Sequence, residues 1–161
     1  MAHYNTKEKY YLFKANESVG DKMKPINAVM IFVFDKEKNL LLLKRADNNK
    51  WEPVKGGINE GESWADAAAR EVLEETGQKI TNPKLVDIVF DTLDTAEGKN
   101  TKIKGHVCFC YINKIMPPIV IEEEHIDYKW IKYDSIPKEK LYPPLANKLM
   151  KIVIQQISKT K

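Results

Sequence analysis

Cysteine is scarce in this sequence: only Cys108 and Cys110 occur among its 161 residues. They alternate on a predicted strand and therefore share one face, too close along an extended chain for a normal disulfide. Nothing nearby completes a set of zinc ligands. Disulfide scaffolds and structural zinc domains are thus excluded, and buried, reduced thiols in a cytoplasmic protein are expected.

Long apolar runs are absent as well. No stretch approaches the roughly 20 apolar residues that a helix needs to cross a bilayer. The N-terminal residues, MAHYNTKEK, also lack the apolar core of a signal peptide. We therefore expect a soluble protein without a membrane partner.

Neither sign of charge is in marked excess. The 26 basic and 23 acidic residues leave a formal net charge of +3, too balanced to indicate nucleic-acid binding by itself. With 43% hydrophobic residues, the chain can bury the core of a single domain spanning 1–161. A monomer and a homodimer both remain compatible with this composition.

Hydrophobic periodicity predicts alternating strands and helices without internal repeats. The stretch INAVMIFVF at 26–34 is almost wholly apolar, as expected for a strand buried on both faces. Polar connections are expected at 16–25 and 94–102. Further strands are expected at 10–14, 40–45, 85–93, 104–113 and 125–133, and helices at 63–76 and from Pro144 onward. Strands with a helix on each side indicate an α/β (α+β) fold, an α/β/α sandwich.

One stretch of the chain carries most of the functional information. Residues 56–78 read GGINEGESWADAAAREVLEETGQ, which fits the frame G-x5-E-x7-R-E-U-x-E-E-x-G-U, where U is aliphatic. This resembles the Nudix box of Nudix hydrolases at every position except the last. Gln78 occupies that position, and Ile80 is expected to supply the apolar contact instead.

The residues of this box make physical sense by themselves. Ser63 and Asp66 predict a capped helix start, and Gly77 predicts a left-handed stop after Thr76. Helical geometry then places three glutamates, Glu71, Glu74 and Glu75, within an arc of roughly 100° on one side of the helix. The side expected to pack on a sheet carries Ala65, Ala69, Val72 and Leu73. Three like charges on one face repel, and a hard divalent cation relieves that repulsion. The plain alternative is a solvated acidic face.

The Nudix resemblance implies a mixed sheet between helices and one to three Mg²⁺ or Mn²⁺ ions. The ions would be held by the three box glutamates and a loop carbonyl, from Lys55 or Gly56. Glu71 is the first candidate for the general base. Arg70 either orients a box glutamate or contacts phosphate, and the orienting role is favoured. The glycine-rich loop, including Gly57, suits anion binding before a helix N-terminus.

The segment before the box bears on the substrate. Residues 51–57, WEPVKGG, resemble the W-x-x-P-K-G segment of asymmetrical diadenosine tetraphosphate hydrolases and the W-x-x-P-Q-G-G-I-N segment of RNA pyrophosphohydrolases. Lys55 is interpreted either as a phosphate contact or as a surface lysine. Trp51 either stacks on a base or is buried against the sheet. Arg45 is a further candidate for substrate binding.

A late acidic and aromatic segment supplies the remaining candidates. Residues 124–130 contain the pattern E-H-x-x-Y-x-W, which resembles diadenosine tetraphosphate hydrolases and dihydroneopterin triphosphate pyrophosphatases. Glu124 or Glu123 is the candidate fourth carboxylate, and Glu124 is the second candidate for the base; a solvated loop is the alternative. Of Tyr128 and Trp130, at most one is expected to stack on a base. His125 is interpreted as structural.

These residues together predict metal-dependent hydrolysis of a phosphoanhydride bond in a nucleoside polyphosphate. Diadenosine tetraphosphate, cleaved to ATP and AMP, is the favoured substrate. Triphosphorylated RNA 5′ ends are the next choice, and a (d)NTP or dihydroneopterin triphosphate is the third. A Nudix-fold module that binds nucleotide or RNA without cleaving it is the alternative from another class.

Overall fold

The computed structural model describes residues 3–5, 10–13, 26–94, 101–112, 115 and 123–159. Its strands are β1 His3–Asn5, β2 Tyr10–Phe13, β3 Ile26–Asp35, β4 Leu40–Arg45, β5 Trp51–Glu52, β6 Val54–Gly57, β7 Lys84–Asp94, β8 Thr101–Ile112 and β9 His125–Ile131. The helices are α1 Trp64–Thr76 and α2 Pro144–Lys159, with a 3-10 helix at Tyr133–Lys138. The polar connection predicted at 16–25 lies outside the described residues. Residues 95–100 of the second predicted connection, at 94–102, also lie outside them.

The strands form one mixed sheet. Their order is β1-β2-β7-β8-β3-β4-β5, with β6 beside β3 and β9 beside β4. Strands β3 and β8 run parallel over ten residue pairs. The other strand pairs among the described residues are antiparallel. The predicted mixed sheet is confirmed.

Strand β3 forms the centre of the fold because both of its faces are apolar. Met30, Phe32 and Phe34 join a buried cluster with α2, whereas Val29, Ile31 and Val33 join a second cluster with α1. Of these six side chains, Met30 is 2% exposed and the other five are 0% exposed, whereas Ile26 at the start of the strand is 55% exposed. A helix therefore covers each face of the sheet, and the predicted α/β/α sandwich is confirmed.

Strand β3 changes its antiparallel partner along its length, and this positions the site. Near its C-terminal end it pairs with β4 through Phe34 and Leu40. Over Ala28–Ile31 it pairs instead with β6, the short strand that leads into the loop before α1. Strand β4 pairs with β5 and with β9 along the rest of its length. Because β5 and β6 are only two and four residues long, the sequence pattern did not predict them.

Helix α1 has the predicted ends. The Ser63 hydroxyl oxygen accepts a hydrogen bond from the Asp66 amide at 3.0 Å. Gly77 has a φ of 74° and donates its amide to the Leu73 carbonyl. The predicted packing face is wrong at Leu73, which is 46% exposed. The helix is rotated so that its acidic edge lies against β6; its buried residues are Ala67, Ala68, Val72, Glu75 and Thr76.

Several smaller predictions have clear outcomes. Ile80 is buried in the α1-side cluster, as expected, and Gln78 is buried beside it. Cys108 and Cys110 are buried free thiols, as expected. The strand predicted to reach Tyr133 ends at Ile131, since a 3-10 helix begins at Tyr133. Among the described residues, no helix has the length and apolarity needed to cross a bilayer.

The Ser63 cap gives a stability prediction. Replacing Ser63 with alanine removes the side-chain acceptor of an α1 amide, so the free energy of unfolding should fall by about 1 kcal/mol in urea denaturation. Ser63→Asp keeps an acceptor and should stay close to the wild type. Equal losses in the two variants would contradict this role for the hydroxyl group.

Candidate active site

The close approach of Glu71 to the backbone of Gly56 organises the site. Gly56 lies on β6, paired with Val29 of β3, and α1 packs against this strand. A Cβ atom placed on Gly56 would overlap the carboxyl group of Glu71. Only glycine leaves room for a carboxylate there, so the first glycine of the box has a steric function as well as a turn-forming one.

Arg70 holds the acidic residues around this contact. Its Nε donates to Glu62 Oε2 at 2.9 Å, and its Nη2 donates to the Gly57 carbonyl at 2.8 Å. Its Nη1 donates to Glu71 Oε1 at 2.9 Å and to Glu74 Oε2 at 3.2 Å. Hydrogen bonding to Arg70 lowers the pKa of Glu62 to about 2. These contacts favour the orienting role for Arg70 over a direct phosphate contact.

Glu75 is the most unusual ionisable group of the site. It is 8% exposed, and its Oε2 has no hydrogen-bond partner within the part of the chain that the structure describes. A contact with the backbone of Lys55 favours the charged form of its carboxyl group and acts to lower its pKa. Burial, followed by the charges of Glu71, Glu52 and Glu124, raises the pKa of Glu75 to about 9. A buried carboxylate with an unpaired oxygen fits a site for a cation.

Three other glutamates, Glu71, Glu124 and Glu74, lie around Glu75. Burial raises the pKa of Glu71; Arg70 opposes the effect, and Glu74 and Glu124 add to it. Glu124 is exposed at the start of β9, and its charge acts on both Glu71 and Glu75. Glu74 lies at the rim, with half of its side chain exposed. Across the described ranges, no three acidic, histidine or cysteine side chains already form a closed set of metal ligands.

A buried carboxylate that the sequence did not predict lies beside these groups. Glu52 is 2% exposed, and Arg45 Nη1 donates to its Oε1 at 2.8 Å. Lys55 Nζ lies 3.7 Å from Oε1, and His125 Nε2 lies 3.6 Å from Oε2. Burial would raise the pKa of Glu52, but the contacts with His125, Lys55 and Arg45 together hold it below its usual value. Glu52 thus joins β4, β6 and β9.

This network changes the interpretation of two predicted substrate contacts. Arg45 binds Glu52 and Asp47, so its guanidinium group already has two carboxylate partners. Burial lowers the pKa of Lys55, and Glu52 and Glu75 oppose that effect. Lys55 therefore lies between the Glu52 network and the box glutamates, whereas Arg45 belongs to the network itself.

The aromatic candidates separate clearly in the structure. Trp51 packs against the α2-side cluster, and Lys129 Nζ lies 4.4 Å from its ring centroid. This arrangement favours the buried interpretation of Trp51. Trp130 packs against the α1-side cluster, whereas Tyr128 is 39% exposed. The ring of Tyr142, at the entry to α2, lies beneath the cations of Arg45, Lys50 and Lys55.

Two cavities meet at Glu124. One has a volume of about 450 Å³ and is lined by charged residues around Arg45, Asp47 and His125. The other has a volume of about 330 Å³ and extends from Lys55 and Gly56 into a largely apolar recess. Polar groups at one end of an apolar recess are typical of small-molecule sites.

Comparison with known proteins now decides the family. A family model described as the NUDIX domain matches residues 24–152. The chain belongs to the NUDIX family.

Individual NUDIX relatives support this assignment. The RNA pyrophosphohydrolase of Pelagibacter ubique (strain HTCC1062) is 42% identical over 125 residues, which cover 68% of this chain and 78% of that protein. The dihydroneopterin triphosphate diphosphatase of Escherichia coli (strain K12) is 30% identical over 112 residues, covering 64% and 74%. The prediction of a Nudix pyrophosphohydrolase is confirmed.

A solved structure supports the fold. The structure of a C. elegans Ap4A hydrolase binary complex has a TM-score of 0.60 and 21% sequence identity, covering 83% of this chain and 98% of that one. At this identity the likeness concerns the fold alone.

The contact between Gly56 and Glu71 yields a sharp prediction. In Gly56→Ala the new methyl group must displace the Glu71 carboxylate, so Mn²⁺ affinity measured by calorimetry should fall on the order of tenfold or more. The matched control is Gly57→Ala, because a Cβ there meets only the Asn27 carbonyl at 4.0 Å. Unchanged Mn²⁺ affinity in folded Gly56→Ala would contradict the assignment.

Glu75 gives metal binding a pH dependence of definite sign. Its pKa of about 9 in the folded protein exceeds the ordinary value of 4.5, so a bound cation must displace a proton near neutral pH. Mn²⁺ affinity should therefore rise as the pH approaches 9. In the presence of a chelator, protonated Glu75 should contribute fully to the free energy of unfolding below about pH 4.5. This contribution should be lost as the pH rises towards 9.

Calorimetry and urea denaturation across this pH range measure the two effects. Glu75→Gln has no proton to lose, so it should show a smaller slope in both measurements. If Glu75→Gln keeps the wild-type pH dependence of Mn²⁺ affinity and of the free energy of unfolding, a group other than Glu75 binds the proton.

Proposed function

We propose that this chain hydrolyses a phosphoanhydride bond in a nucleoside polyphosphate with the help of one to three Mg²⁺ or Mn²⁺ ions. The observation that carries the proposal is the buried, unpaired Oε2 of Glu75 beside the Glu71 carboxylate. Glu71, Glu75 and Glu124 would hold the ions together with the Gly56 carbonyl, and Glu74 would complete the set from the rim. Carboxylate and carbonyl oxygens are the ligands that these hard cations prefer.

The bound cations would polarise the phosphoryl oxygens and offset the negative charge that develops on them. The protein's own residues supply the positioning. Arg70 keeps Glu71 and Glu74 oriented through its hydrogen bonds, and Lys55 places a positive charge between Glu52 and Glu75. A substrate phosphate would compete with these carboxylates for Lys55, which suits reversible binding.

The reaction needs one proton acceptor. Water attacks phosphorus, a new P–O bond forms, the anhydride P–O bond breaks, and the proton of the water passes to a carboxylate. Glu71 is our first choice for this base because its pKa is raised and its carboxyl group lies on the Gly56 backbone at the centre of the site. Glu124 is the second choice, since it is exposed and lines both cavities.

The favoured substrate among the candidates changes once the relatives are considered. Diadenosine tetraphosphate was favoured by the Lys55-Gly56 pair and the segment at 124–130. The relative named RNA pyrophosphohydrolase shares 42% of residues over 125 positions, whereas the Ap4A hydrolase structure shares 21%. We therefore propose the triphosphorylated 5′ end of RNA first, with the run GGINEGES as support from the sequence.

Two other substrates keep a specific observation in their favour. Diadenosine tetraphosphate is supported by Lys55, whose side chain lies at the polar end of the apolar cavity. Dihydroneopterin triphosphate is supported by the relative that is 30% identical over 112 residues. All three candidates present a phosphate chain to the same carboxylates, and they differ in the group attached to it.

A substrate panel tests the proposal. With Mg²⁺, the purified protein should show its highest kcat/KM on 5′-triphosphorylated RNA and lower values on diadenosine tetraphosphate, dihydroneopterin triphosphate and common nucleoside triphosphates. Glu74→Gln removes a charge at the rim and should lower kcat by orders of magnitude with an unchanged Tm, which excludes a contaminating activity.

Other outcomes of the panel have definite meanings. Preferred cleavage of diadenosine tetraphosphate to ATP and AMP would replace RNA by that substrate. If no substrate of the panel is hydrolysed with either Mg²⁺ or Mn²⁺, the proposed hydrolysis is overturned. That result would favour a module that binds nucleotide or RNA without cleaving it.

A further inference from the structure

Positive charge is unevenly distributed along this chain. Residues 132–161 hold seven lysines against two acidic residues, Asp134 and Glu139, whereas the whole chain holds 26 basic and 23 acidic residues. The carboxyl group of Glu139 is paired with Lys129 Nζ, 3.1 Å away. The small net charge of the chain therefore conceals a basic C-terminal part and a slightly acidic remainder.

The outer side of helix α2 carries much of this charge. Lys148, Lys151 and Lys159 are exposed, and helical geometry places them within an arc of about 80°. At 1.5 Å per residue, they extend over roughly 16 Å of the helix. The helix contains no acidic residue, and its apolar side packs against the sheet. Within the described part of the chain, no carboxylate forms an ion pair with Lys151 or Lys159.

Asn147 brings a further lysine to this side of α2. Its Oδ1 accepts a hydrogen bond from the Leu141 amide at 2.7 Å, and its Nδ2 donates to the Glu139 carbonyl at 2.6 Å. The exposed Lys140 lies between these two contacts, on a segment that is thereby bound to the first turn of α2. Asn147 and Lys151 are four residues apart and therefore neighbours on the helix surface, so Lys140 continues the series of lysines.

Tyr142 connects these lysines to the candidate active site. Its amide donates to the Trp51 carbonyl at 2.8 Å, and its ring centroid lies 5.3 Å from Lys50 Nζ and 5.5 Å from Lys55 Nζ. Lys50 is exposed, whereas Lys55 lines the cavity beside the box. Positive charge thus continues from the cavity, around Tyr142, to α2. We refer to five exposed residues as the lysine row: Lys50, Lys140, Lys148, Lys151 and Lys159.

We propose that the lysine row binds the sugar–phosphate backbone of RNA beyond its 5′ end. The proposal rests on the proposed function, because the triphosphorylated 5′ end would lie among the box glutamates. Lysine ammonium groups bind phosphates as point charges, without sequence preference. At about 3.4 Å per stacked nucleotide, the part of the row on α2 alone is long enough for about five nucleotides.

The position of the row favours RNA over other anionic partners. A helix that lies on an anionic membrane inserts an exposed apolar side into it, but the apolar side of α2 is buried in the core through Leu145, Leu149 and Val153. The row also begins at the cavity of the candidate active site, as expected for a surface that binds the rest of a substrate. Since a dinucleoside polyphosphate has no chain that could follow α2 towards Lys159, the row favours RNA as the substrate.

Binding of 5′-monophosphorylated uridine oligonucleotides, measured by fluorescence anisotropy without Mg²⁺, tests the row, because these strands have no anhydride bond to hydrolyse. A 12-nucleotide strand should bind about tenfold or more tightly than a dinucleotide. The affinity for the 12-nucleotide strand should fall with KCl, and each contacted phosphate contributes about 0.7 to the slope of log Kd against log salt concentration.

Lysine variants then locate the contact. Lys151→Gln should lower this slope by about 0.7, and Lys140→Gln added to it should lower the slope by about as much again. Both side chains are exposed, so the fold should not change. The matched control is Lys79→Gln, an exposed lysine just after α1, the helix that covers the other face of the sheet. It should keep the slope of the wild type.

Each outcome decides for or against the row. Equal affinities of the wild type for the two strands would overturn the proposal, as would a slope that Lys140→Gln and Lys151→Gln leave unchanged. If these variants instead lose binding to vesicles that contain phosphatidylserine while the RNA slope stays the same, the row binds membranes and the proposal is wrong. Failure of the proposed hydrolysis is seen as absence of turnover in the substrate panel, and the binding measurement needs no turnover, so the two failures are distinguishable.

Discussion

The contact between the Glu71 carboxylate and the Gly56 backbone is the constraint on which the site depends. It brings α1 so close to β6 that Glu75, one turn later, is buried beside the backbone of Lys55. A helix docked through carboxylates rather than through methyl groups gives up apolar burial at that edge. The remaining buried residues of α1 are mostly small, Ala67 and Ala68 among them, which permits this close approach.

Crowded carboxylates then require positive charge, and the chain supplies it on two sides. Arg70 binds Glu62, Glu71 and Glu74 from the solvent side. Lys55 and Arg45 neutralise the buried Glu52 from the side of β4. Neither group satisfies Oε2 of Glu75. Among the described residues, Oε2 of Glu75 is thus a buried carboxylate oxygen without a hydrogen-bond partner, and a divalent cation would supply the missing positive charge there.

The sequence predicted the parts whose signals are local. The ends of α1 follow from Ser63 and Gly77, and the buried strand β3 follows from an almost wholly apolar run. The Glu52 network was not predictable, because it depends on the pairing of Leu43 with Glu52 and on β9 lying beside β4. The exposure of Leu73 escaped prediction for a related reason: periodicity defines an amphipathic helix, but the contact with Gly56 sets its rotation about its own axis. Trp51 was ambiguous until its ring was seen against the core.

Two adjacent glycines on β6 explain how one short strand serves two chemical tasks. Because side chains of a strand alternate, Gly56 yields space to a carboxylate on one face and Gly57 leaves the opposite face bare. Lys55 and Glu124 line the cavity beside these glycines. Gly56 and Gly57 thus let β6 contact α1 closely on one face while its other face stays open to the cavity.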